Sequence, residues 1–115
     1  MTMKKEGSSA ESIKGRAIGL GSFVEYQEGA VVSRTIVDKK IGTVTVFAFD
    51  AGEGLSEHTA PYDALVCVLD GAAEIKISGR AMKARSGEFI IMPAGEPHSV
   101  RAIERFKMLL IMIRA

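Results

Sequence analysis

Apolar and polar residues alternate along this chain in short runs, and no long stretch repeats at helical spacing. Strand-like runs cover residues 31–37, 42–49, 64–69, 73–78, 81–84, 88–92, 98–103 and 106–113, with turn residues between nearly all of them. Leu69-Asp70-Gly71, Ser78-Gly79-Arg80 and Arg85-Ser86-Gly87 are short enough to be hairpin connections. The last run, Phe106 to Ile113, suits a buried helix by periodicity alone, but its length favours a strand. The pattern predicts an all-β sandwich or barrel.

Two runs are apolar at both parities. Val66 and Val68 alternate with Leu65, Cys67 and Leu69, and Met108, Leu110 and Met112 alternate with Leu109, Ile111 and Ile113. Side chains of one parity share one face, so one set lines an interior and the other needs a cover. A symmetric homodimer is the expected cover, and the N-terminal segment is the alternative. Residues 1–22 read as a mobile or loosely docked tail in which Ile13, Ala17, Ile18 and Leu20 are available to pack; residues 23–115 form the barrel domain.

Composition narrows the setting. A chain of 115 residues with 47% hydrophobic residues builds one self-sufficient core. Fifteen basic against fourteen acidic residues leave +1, too little for a surface that tracks nucleic acid. One cysteine forms no internal disulfide, no signal-peptide pattern opens the chain and no apolar run reaches membrane-spanning length, so the expected compartment is the cytoplasm. Cys67, within an apolar run, is expected to be a packing residue.

The most specific stretch is Gly87-Glu-Phe-Ile-Ile-Met-Pro93-Ala-Gly95-Glu-Pro97-His98. Pro93 fixes its own φ, Gly95 tolerates φ > 0, and His98 follows on stiff backbone at the start of the next strand. The spacing G-x5-P-x-G-x2-H resembles the second motif of the cupin superfamily. Upstream, Gly52 to Gly71 resembles its first motif in part: His58 stands at the first histidine, Ala60 at the second and Ala64 at the glutamate. The resemblance runs from Val31 to Ile113 and implies a small single-domain cupin of the conserved-barrel type, a double-stranded β-helix or jelly-roll-like barrel.

Metal-binding cupins hold their ion with three histidines and a carboxylate. Two retained histidines imply at most partial occupancy by a divalent metal such as zinc, iron, manganese or nickel at His58 and His98. Asp63, Cys67 and Glu57 are out of phase with the pocket, whereas Tyr62 is in phase with Ala64. Ala60, Ala64 and Ala102 remove bulk from the expected interior, and Met92, Met108 and Met112 offer adaptable walls. The leading reading is therefore a small organic molecule bound inside the barrel by His58, His98, Tyr62, Ala60, Ala64, Ala102 and Met92. The alternatives are a metal-dependent dioxygenase or isomerase, and a metal-free enzyme pairing a histidine with Tyr62 or Asp63. The bland alternative is a closed interior with two core histidines satisfied by backbone or water.

Three other features carry less. Ser56 and Ser99 flank the histidines, but adjacent strand residues diverge, so they make no triad. Gly19-Leu-Gly21 and Gly52-Glu-Gly54 lack the strand–loop–helix context of a nucleotide loop. Arg101, Arg105, Lys107 and Arg114 are expected to line the solvated edge of the last strand.

Overall fold

Period-two alternation, broken by glycine turns, sorts the chain into two antiparallel layers with one parity of each strand facing inward. The computed structural model describes residues 2–5 and 13–115, with backbone only for 2–5. Ten strands are described: β1 (Thr2–Lys5), β2 (Ala30–Lys39), β3 (Gly42–Phe49), β4 (Gly54–His58), β5 (Tyr62–Asp70), β6 (Ala72–Ile77), β7 (Arg80–Arg85), β8 (Phe89–Met92), β9 (His98–Ala102) and β10 (Phe106–Arg114). They form a six-stranded sheet, β1-β2-β3-β10-β5-β8, and a four-stranded sheet, β4-β9-β6-β7. All pairs are antiparallel except β1 with β2. The eight expected runs are all strands; β1 and β4 were not anticipated.

Of the three expected hairpins, one joins paired neighbours. Ile77 pairs with Arg80 across Ser78 (φ 49°) and Gly79 (φ 80°), a two-residue loop with φ > 0 at both positions, which suits the strand twist. The other two connections change sheets: β5 and β6 lie in different layers, as do β7 and β8. Gly71, at the first crossing, has φ 73°, and a Cβ there would come within 1.8 Å of the Arg105 carbonyl oxygen. Only glycine meets both demands.

The inner faces meet in a core that includes Val31, Phe47, Phe49, Val66, Ile75, Phe106 and Met108. Phe47, Phe49 and Phe106 stack in sequence, with centroids 5.8 and 5.2 Å apart. A second cluster lies on the outer face of the large sheet, where Phe23 and Val24 are buried with Val32, Val46 and Ala48, and Ile13 and Tyr26 pack beside them. Part of the cover expected from a second copy is thus supplied by the chain itself. In the expected tail, Thr2–Lys5 pairs with β2 and Ile13 packs on the outer cluster; residues 1 and 6–12 lie outside the described residues.

The expectation for the basic residues changes in two ways. β10 is not an edge strand but sits between β3 and β5. Two of the residues assigned to its edge instead hold the N-terminal cover. Lys107 Nζ donates to the Gly21 carbonyl at 2.7 Å and stands 4.8 Å from the Tyr26 ring centroid. Arg105 donates to Asp50 at 3.0 Å and also faces that ring. Among the described residues, no helix is long and apolar enough to cross a membrane.

Candidate functional site

The loop between β8 and β9 is held from three directions. Asp63 Oδ1 accepts from the Ala94 N–H at 3.0 Å, the Gly95 N–H donates to the Ala60 carbonyl at 2.9 Å, and the Ser78 N–H donates to the Pro97 carbonyl at 2.8 Å. Ser78 Oγ adds a bond to Glu96 Oε1 at 2.9 Å. His98, the first residue of β9, leaves this fixed loop with its side chain buried. His58 ends β4 directly opposite it in the ladder, and the register shifts between Leu55 and His58. Directly opposed residues place their side chains on the same face. The two ring centroids are 4.5 Å apart and the planes meet at 71°.

Both rings are oriented by their own backbone. His58 Nδ1 lies 2.8 Å from the Ser56 carbonyl oxygen, and His98 Nδ1 lies 3.1 Å from that of Glu96. A carbonyl oxygen only accepts, so each neutral ring carries its proton on Nδ1 and keeps a lone pair on Nε2. Burial holds the His98 pKa below its ordinary value, and the neighbouring His58 lowers it further. His58 itself is solvent-exposed. The pair therefore joins a buried neutral acceptor to one that solvent reaches.

The hollow beside the rings is small, about 30 Å³, and is lined by Leu55, His58, Ala64, Met92, His98, Val100, Met108, Leu110 and Met112. Of the residues expected to bind, His58, His98, Ala64 and Met92 meet here. The other three do not line it. Ala102 is buried deeper in the core beside Ala73. Ala60 belongs to the loop before β5, where its carbonyl holds Gly95. Tyr62 starts β5, paired with Arg114. Asp63 is turned away, engaged with Ala94. The interior is not widened by the alanines, because side chains from β4, β8, β9 and β10 close in on Ala64. Leu55 and Val100 went unanticipated; Leu55 lies on β4, which gave no clear alternation. A roomier hollow, about 370 Å³, lies outside the barrel between residues 13–23 and β2, and contains neither histidine.

Among the described residues, no group of three His, Cys, Asp or Glu side chains is placed to hold a metal ion. The ligand set that the resemblance implies for a divalent metal does not fit these residues, since such ions take at least three protein ligands in their usual sites.

Comparisons with known proteins agree with this architecture. The chain is similar to a conserved protein of unknown function from Streptococcus pyogenes (36% identity, 88% of this chain and 89% of that one, TM-score 0.85). It is also similar to a cupin superfamily protein from Desulfitobacterium hafniense (27% identity, 89% and 94% covered, TM-score 0.84). A cupin 2 conserved barrel domain protein from Leptotrichia buccalis matches at 43% identity over 82% of this chain and 46% of that one, with TM-score 0.80. A search of curated proteins finds no match. The family model for the cupin domain matches residues 45–114. With that match spanning both histidines and all but three of the strands, the chain belongs to the cupin family.

Proposed function

We propose that this cupin binds a small ligand at the barrel mouth, held by Nε2 of His58 and Nε2 of His98. The observation that carries this reading is the pair of rings 4.5 Å apart, each with Nδ1 tied to a backbone carbonyl and Nε2 left as an acceptor. Two acceptors select a hydrogen-bond donor or a Lewis acid and disfavour a bare anion. The volume of about 30 Å³ sets the size. It takes one ion or one polar head group, whereas a wholly enclosed organic ligand needs roughly 300 Å³ or more. An organic ligand would therefore place only its donor group between the rings, with its body over exposed His58.

Thermal-shift screening tests this with single metal ions and with small donors such as phenol and polyols. At least one probe is expected to raise the melting temperature of the wild-type chain, and His58→Ala, at an exposed position, is expected to remove that rise without loss of fold. Equal rises in both proteins, or none in either, would remove the site.

We further propose that the uncovered part of the large sheet's outer face pairs with a second copy. Two apolar rows cross it: Phe89–Cys67–Leu109–Val46, and Ile91–Leu65–Ile111–Val44–Val37. The N-terminal cover reaches Leu109 and Val46, while Phe89 and Ile91 stay 64% and 57% exposed. An apolar patch that reaches across five strands can pair with its own copy about a two-fold axis, as in face-to-face sheet packing. Light scattering is expected to give a dimer mass for wild type and a monomer mass for Ile91→Lys. A monomer at all concentrations would dismiss the pairing.

A further inference from the structure

We infer that the ligand at the barrel mouth is a soft monovalent cation, copper(I), held by His58 and His98 together with methionine sulfur. This rests on the binding reading above and adds the identity of the occupant. Three of the nine residues around the hollow are methionines, Met92, Met108 and Met112. Two of them are placed by strand register: Ala64 pairs with Met92 on one side and with Met112 on the other, so a thioether flanks the alanine on each neighbouring strand. Residues opposed in this way share a face, and that face is the one turned to the histidines, since Ala64, both methionines and both histidines line the same cavity.

The donor set decides the metal. Divalent zinc, iron, manganese and nickel favour imidazole joined by further nitrogen or oxygen donors, and no carboxylate or third histidine stands here among the described residues. Thioether sulfur selects copper(I). A d10 monovalent ion also tolerates few ligands and needs no anionic one, which suits a neutral site of two imidazoles and apolar thioethers. The two rings, with centroids 4.5 Å apart, would supply the nitrogen donors, and the methionines that line the same cavity would supply sulfur. The cavity has room for one ion. His58, exposed at the mouth, gives the ion a way in.

The test is anaerobic competition for copper(I) against bicinchoninate, using the full chain, with zinc(II) competition against a chromogenic chelator in parallel. One copper(I) per chain is expected, with weak zinc(II) binding. Met92→Leu and Met112→Leu keep the volume, so the fold should persist. Each is expected to weaken copper(I) by about 10- to 100-fold, the range seen when a supporting group is lost from a metal site. Silver(I) should follow the same order as a redox-inert check. Stoichiometric zinc(II) lost in His58→Ala, with copper(I) indifferent to both methionine changes, would overturn the soft-cation assignment and leave the histidine site standing. If no metal or organic probe responds to His58→Ala, the histidine site itself fails, and this inference with it.

Discussion

The two ends of the barrel are built from different materials. At one end Phe47, Phe49 and Phe106 stack in a closed row, with Phe49 and Phe106 fully buried. At the other, His58 and His98 stand over a small hollow walled by methionines and Ala64. Rigid rings have few rotamers and bury large areas, so the aromatic end fixes the packing of both sheets. Methionine adapts to irregular space, and histidine keeps a polar atom that water or a ligand must satisfy. The first end therefore carries stability, and the second suits the binding proposed for it, a division that substitutions can break.

The largest effect is expected at the closed end. Phe106→Ala should cost about 3–5 kcal/mol, the usual range for removing a buried phenylalanine ring, read from chemical denaturation. Equal sensitivity at both ends would erase the contrast. Gly71→Ala comes next. It forces an L residue to φ 73° and drives its Cβ into the Arg105 carbonyl, at the crossing that carries β5 into β6. Backbone strain of this kind costs roughly 1–3 kcal/mol, and the steric contact adds to it. If Gly71→Ala leaves the melting temperature unchanged, this crossing does not constrain the fold as argued.

The two ends also differ in how far the amino-acid sequence reveals them. Strand positions were legible because alternation is local: Val66 and Val68 face inward in the structure, and Leu65, Cys67 and Leu69 face outward, as parity requires. The histidine pair was legible through a turn whose proline and glycine carry their own conformational demands. What stayed hidden depends on distances between strands remote in the chain. The alanines at 60, 64 and 102 read as space, yet Ala102 packs against Ala73 from β6, and Ala64 is enclosed by Met92 and Met112 from β8 and β10. Residue volume at one position does not report what its neighbours in space contribute. Likewise Phe23 and Val24 follow a polar, glycine-rich stretch and gave no periodic signal, although they cover the sheet. The basic residues around β10 looked like edge protection because pairing partners on both sides cannot be seen from one strand.

Met112→Leu sharpens the comparison from the open end. A volume-conserving exchange at the half-buried mouth should cost less than about 1.5 kcal/mol, well below Phe106→Ala, while changing the response to soft metal ions. A stability loss as large as that of Phe106→Ala would make the mouth part of the structural core.

The smallest effect expected is a pH dependence of stability that belongs to the mouth alone. Burial and the neighbouring His58 depress the His98 pKa in the folded chain. In the unfolded chain this histidine takes up its proton near its ordinary value, about 6.5. Between that value and the depressed one, the unfolded state binds more protons, so stability rises with pH through the window. The contribution is fully present above about pH 6.5 and is lost as the pH falls toward the folded-state pKa. Asp50, held below its ordinary range by the Gly29 N–H and the Arg105 guanidinium, acts only at more acid pH and does not overlap. Denaturant melts at pH 5, 6, 7 and 8 should therefore show a loss below neutrality that flattens in His98→Gln. A slope of the same size in that variant would place the proton uptake elsewhere in the chain, and His98 would then be an ordinary surface-like titrating group despite being only 4% exposed.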